Sequence, residues 1–108
     1  MKSPVAIISC KVYEKEAVTA GIERALAALG GLNTMVRAGQ TVLLKPNMLS
    51  AREPERGVTT HPLILEAVIN QVKALGAKVV VGDSPSGAIK GVERCWRNTG
   101  FQEVCRRS

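Results

Sequence analysis

The chain has 108 residues, and its 15 Lys and Arg against 9 Asp and Glu leave a formal charge of +6. With 45% hydrophobic and 22% charged residues, the composition is that of one small globular domain and excludes a disordered tail or a fibrous repeat. A single Trp, a single Tyr and a single Phe mean that the core must be built from Val, Ile, Leu and Ala, and that base-stacking surfaces are scarce.

In chain order, Val5-Ala6-Ile7-Ile8 is a short run rich in β-branched residues between Pro4 and the polar group Ser9 to Lys11, which predicts a buried strand. Glu14 to Leu29 then carries Val18, Ile22, Leu26 and Leu29 at helical spacing, and Gly30-Gly31 ends this amphipathic helix. Thr41-Val42-Leu43-Leu44 predicts a second buried strand, stopped by Lys45-Pro46-Asn47 because proline has no amide to give a ladder. A long polar loop, Met48 to Thr60, follows; such length without periodicity is usually functional or mobile. Pro62 suits a first helical turn, and Leu65, Val68, Ile69, Val72 and Leu75 trace one apolar face as far as Gly76. Ala77 to Val81 predicts a third strand, closed by the turn-forming series Gly82 to Gly87, and Val92 to Thr99 a short helix capped by Gly100.

Strands that alternate with helices and lack polar alternation predict an α/β class: a Rossmann-like parallel sheet of about three strands flanked by helices. Three strands make a narrow sheet with two open edges, so the expectation is a part of a larger sheet or a chain that pairs with itself. Cys10, Cys95 and Cys105 match no disulfide framework and no cluster motif, and read as reduced thiols that fill apolar space. No apolar run is long enough to be a signal h-region or to span a bilayer, which makes the cytoplasm the default location and leaves no membrane role.

Ligands of open parallel sheets bind beyond the carboxyl ends of the strands. That rule gathers the unusual polar residues on one rim: Ser9, Cys10 and Lys11 after the first strand, Lys45 and Asn47 after the second, Asp83, Ser84 and Ser86 after the third. Thr59-Thr60-His61-Pro62 opens the second helix at the same rim, where free amides and the positive dipole end favour an anion. The dipole should also lower the pKa of His61, the single histidine. The competing reading is that His61 or Thr60 merely caps the helix and that Asp83 closes its own turn. Gly82 to Ser86 is not a nucleophile elbow, and no dinucleotide or Walker motif is present. The basic excess is spread along the chain, and with few aromatics and no recognition motif, nucleic-acid binding is disfavoured.

Three motifs, Lys45-Pro46-Asn47 at a strand end, Thr59-Thr60-His61-Pro62 at a helix start and Gly82-Asp83-Ser84-Pro85 after the next strand, occur intact and in order. In this combination the sequence resembles the domain-of-unknown-function family 362. The resemblance implies that residues 1–108 form a single α/β domain, the N-terminal portion of a longer family domain, in a cytoplasmic microbial protein whose family has no assigned reaction. It also implies 4Fe-4S segments of ferredoxin type downstream in longer members. No C-x-x-C series occurs in this sequence, so no cofactor is expected within this chain. The expected site is a cradle for a small anionic ligand made by Lys45, Asn47, Thr59, Thr60, His61, Asp83 and Ser84. The alternative is a noncatalytic binding or assembly module, in which these motifs fix loop geometry and the open sheet edge recruits a second copy or a missing C-terminal domain.

Overall fold

The computed structural model describes residues 2–84 and 91–108. Residues 2–14 run to the first helix, α1 (Lys15–Ala28), which buries Val18 and Gly21. After a short 3-10 turn at Leu32–Thr34 come strand β1 (Thr41–Leu44), a second 3-10 turn at Pro54–Arg56 and helix α2 (Pro62–Ala74). Strand β2 (Lys78–Val81) is followed by two short helices, α3 (Val92–Asn98) and α4 (Phe101–Arg107). The expected elements from Glu14 to Gly82 therefore form within a residue or two of their predicted limits. The expected Gly82–Gly87 loop lies outside the described residues from Pro85 onward.

β1 and β2 pair in parallel, with Thr41 opposite Lys78, Val42 opposite Val79, Leu43 opposite Val80 and Leu44 opposite Val81. Helix α2 makes the crossover and packs on β2, α1 and α4. A parallel pair of this kind needs such a crossover, and Pro62 at the first helical position, with no amide to satisfy, starts it cleanly. The sheet is narrower than expected. Val5 to Ile8 is not a strand, and Val5 and Ile7 are 82% and 91% exposed. Its β-branched composition favours extended backbone, but a strand also needs a ladder partner, and among the described residues none pairs with it.

Among the described residues only one face of the sheet is covered. Val42, Leu44, Val79 and Val81 turn toward the core, while their neighbours Leu43 and Val80 are 65% and 50% exposed. This corrects the expectation of strands buried on both faces. The covered side carries two apolar clusters. One joins Val36, Val72 and Ala77 under α2. The larger joins Met48, Leu65, Ile69, Cys95, Phe101 and Val104, with Trp96 set edge-on against Phe101 at 6.2 Å.

Helix α3 forms where Val92 to Thr99 predicts one, and α4 follows it directly. Gly100 separates them at φ +81°, and a Cβ there would meet Pro62 Cγ at 3.1 Å, so glycine alone lets α4 start against the start of α2. The buried Thr99 hydroxyl donates to the Cys95 carbonyl at 2.6 Å, which satisfies it inside the core. Of the three thiols only Cys95 is a core filler; Cys10 and Cys105 are exposed, contrary to the expectation for all three. Partial burial pushes the Cys105 thiol up, away from a reactive thiolate.

Candidate functional site

The rim beyond the C-terminal ends of β1 and β2 is where Lys45, Asn47, Thr60 and Asp83 meet; Ser9 and Cys10, expected there after a first strand that does not form, lie beside α1, and Ser86 lies outside the described residues. Lys45 directly follows β1, and its amine lies 2.7 Å from Asp83 Oδ1 just after β2. The second oxygen of Asp83 accepts the Met48 backbone N–H at 2.8 Å. The Asp83 side chain is only 6% exposed, whereas that of Lys45 is 70% exposed. The hydrogen bond from Lys45, then that from the Met48 amide, holds the Asp83 carboxyl below its ordinary value against the opposing effect of burial. Both carboxylate oxygens are thus engaged by the chain itself.

The Lys45-Pro46-Asn47 segment is also stitched to the start of α2. Asn47 N–H donates to Thr60 Oγ1 at 3.1 Å, Thr60 N–H donates to Asn47 O at 3.0 Å, and Asn47 Nδ2 donates to Val58 O at 3.2 Å. These bonds draw the two ends of the long loop together. Lys45, Asn47, Thr60 and Asp83 are therefore joined in one network, with Thr59 and His61 beside Thr60 and the exposed Ser84 beside Asp83. Thr59 is buried, and its hydroxyl has no hydrogen-bond partner among the described residues.

His61 caps α2. Its Nδ1 accepts the Leu63 N–H at 3.2 Å, which places the proton of the neutral ring on Nε2. Ile64 and Leu65 direct their amides to the His61 carbonyl at 3.0 and 3.4 Å, and Pro62 has none. The amides expected to await an anion at this helix start are consequently engaged. Tyr13 stacks on the imidazole at 3.9 Å with an interplanar angle of 6°. The pKa of His61 is lowered as expected, but by burial, with Glu55 pulling the other way.

A small depression of about 180 Å³ beside this network is lined by Lys45, Thr60 and apolar residues of β1 and α2. That is below the roughly 300 Å³ at which drug-sized ligand pockets begin, and it suits only a few atoms. Two further arginines, Arg52 and Arg56, line an opening of about 370 Å³ with Val58. In the sequence they belong to a loop of mixed charge, and only the shared opening distinguishes them from a solvated surface.

Among the described residues no three His, Cys, Asp or Glu side chains gather to hold a metal ion. The three thiols do not supply the four-thiolate set that an iron-sulfur cluster takes. No helix among the described residues is long and apolar enough to cross a membrane.

Comparison with known proteins agrees with this arrangement of motifs. The domain of unknown function DUF362 matches residues 42–108, the stretch from β1 to α4 that holds all three rim motifs. The thylakoid-associated protein sll1697 of Synechocystis sp. is 37% identical over 102 residues, covering 94% of this chain and 31% of that protein. The chain therefore spans about a third of the length of this relative. No solved structure matches. With its motifs in place and the greater part of its length matched, the chain belongs to the DUF362 family.

Proposed function

We propose that the chain is an assembly module whose half-covered sheet is completed by further polypeptide of the family fold. The observation that supports this is the open apolar face, where Leu43 and Val80 stand side by side in register and more than half of each side chain, or close to it, faces water. Each such side chain gains about 1.5–3 kcal/mol when fully buried, a strong drive toward a covering layer. The occupant we assign is the polypeptide corresponding to the rest of the Synechocystis relative, since the match covers only 31% of it. The rim motifs then act as loop fasteners, in keeping with their internal hydrogen bonds. In this reading the module works in the cytoplasm, and any iron-sulfur chemistry belongs to the completing polypeptide.

The test mixes this chain with a polypeptide carrying the remainder of the relative and follows sedimentation over a concentration series. Expected is a one-to-one complex that is lost in the double variant Leu43→Lys, Val80→Lys. A chain that stays monomeric in the mixture refutes the reading. Self-association without the added polypeptide would replace the assigned occupant by a second copy.

The buried, unpartnered Thr59 hydroxyl favours a second reading, in which the rim takes a small anionic molecule. Lys45 would supply the exposed charge, Asn47, Thr59, Thr60, His61 and Ser84 the polar contacts, and Asp83 the position of Lys45. Titration of acetate and phosphate with amide shifts as the readout tests it. If Lys45→Ala leaves the affinity of every bound anion unchanged, the rim is not the site.

A further inference from the structure

The loop between β1 and α2 carries more than the rim. It is fastened at two points: Asn98 Nδ2 of α3 donates to the Ala51 carbonyl at 3.3 Å, and Asn47 Nδ2 at the start of the loop donates across it to the Val58 carbonyl at 3.2 Å. Between these anchors Arg52 N–H bonds Ser50 O at 2.8 Å, Arg56 N–H bonds Glu53 O at 3.0 Å and Gly57 N–H bonds Pro54 O at 3.1 Å. Pro54 opens this turn and Gly57, at φ +64°, closes it. The result sets Arg52 and Arg56 on one opening of about 370 Å³, with Val58 as its apolar wall.

Lys15, Lys45, Arg106 and Arg107 each pair with a carboxylate, but neither Arg52 nor Arg56 does among the described residues. Glu55 is the acid of this turn that acts on His61, where it raises the imidazole pKa. Two guanidinium groups without a carboxylate partner line this one opening, and their geometry suits one class of anion. A carboxylate takes a guanidinium fork edge-on in its own plane, whereas a tetrahedral group with three terminal oxygens and nearly two negative charges accepts two forks from different directions.

We propose that Arg52 and Arg56 form a binding site for a phosphomonoester group, independent of the sheet-completion reading. The pair lies on the same loop as the rim but uses none of the rim residues. The volume leaves room for the small organic body that carries the phosphate, and Val58 offers that body an apolar contact.

The experiment titrates inorganic phosphate into the intact chain while recording the arginine side-chain Nε–H signals and the backbone amides. Expected are saturable shifts at Arg52 and Arg56 with a dissociation constant of about 1–10 mM, as suits a ligand of so few atoms. Arg52→Ala and Arg56→Ala should each weaken binding about tenfold or more. Arg56→Lys, which keeps the charge and loses the fork, should weaken it measurably too. Thermal melting should be unchanged in all three, because both side chains are exposed.

A second arm uses vesicles of phosphatidylcholine with and without phosphatidic acid. Arginine-dependent binding to the acidic vesicles alone makes a lipid headgroup the source of the phosphate; binding of phosphate in solution without vesicle capture makes it a soluble metabolite. Shifts that chloride reproduces at equal ionic strength, or that survive in the double arginine variant, overturn the proposal. Shifts lost in Lys45→Ala and kept in the arginine variants move the anion to the rim, and likewise overturn it.

Discussion

Replacing Asp83 separates two contributions that the rim combines. Asp83→Ala removes a charge-assisted hydrogen bond to the Met48 amide in a site where the side chain is 6% exposed, and leaves that amide without its partner. Such a loss costs about 1.5–3 kcal/mol. The ion pair with Lys45 adds only about 0–1 kcal/mol, because the lysine is 70% exposed and screened by solvent. The total of about 2–4 kcal/mol should lower the melting temperature by roughly 10–20 °C in a domain of this size. Asp83→Asn keeps an oxygen for the Met48 amide and should cost about 1 kcal/mol, while Lys45→Ala should cost less than about 1 kcal/mol.

Urea unfolding followed by circular dichroism measures all three. The pH dependence supplies an internal check. The Asp83 carboxyl is held below its ordinary value of 3.8, so its stabilisation is complete above that value and disappears as the pH falls through the lower folded-state value. The stability gap between the parent chain and Asp83→Asn should close over the same window. If Lys45→Ala is as damaging as Asp83→Ala, the fastening of the Met48 amide is not what holds the rim, and the reasoning fails.

His61→Ala should lose about 1 kcal/mol of helix capping in thermal melts. Since burial lowers the His61 pKa, the folded chain resists protonation, and its stability should decline as the pH drops from 6.5 toward the lower folded-state value. His61→Asn, which caps without titrating, should remove that part of the pH profile; an unchanged profile would assign it to another group. The buried Glu66 carboxylate is held by Arg107 Nε at 3.1 Å and Nη2 at 2.9 Å, with Lys15 farther off at 3.5 Å, so Arg107→Ala should cost about 2–3 kcal/mol by leaving it only the longer, exposed partner. Glu66→Met, which removes the buried charge itself, should be far milder in denaturant melts, and equal losses in the two variants would contradict this account.

Much of the fold was legible because local signals and burial agree where α2 is concerned. Pro62 and Gly76 bracket a face of Leu65, Ile69 and Val72, all of which are buried. Val5 to Ile8 shows the limit of that approach: composition reports extended backbone, but a ladder partner is a property of the rest of the molecule. The strand faces show it again, since Leu43 and Val42 are equally apolar and only the position of α2 decides which one is covered.

At the rim, strand order sufficed to gather Lys45, Asn47, Thr60 and Asp83. Their use was not legible, because the Asp83–Met48 bond spans 35 residues and depends on where the intervening helix returns the chain. His61 was legible as a cap, since a helix start with Pro62 has few other donors to engage. Arg52 and Arg56 were not distinguishable from the charges around them in the sequence, and only the folded loop sets both on one opening.

The fully buried Met48 binds the fate of this loop to the far end of the polypeptide. Its side chain packs with Phe101 and Val104, its sulfur lies 4.0 Å from the Thr99 hydroxyl, and Asn98 holds the carbonyl of nearby Ala51. The motif-bearing edge therefore matures only after α3 and α4 have been made, since they emerge from the ribosome after the loop residues they support. Trimming back to Gly91 would dismantle that edge while leaving all of its own residues intact.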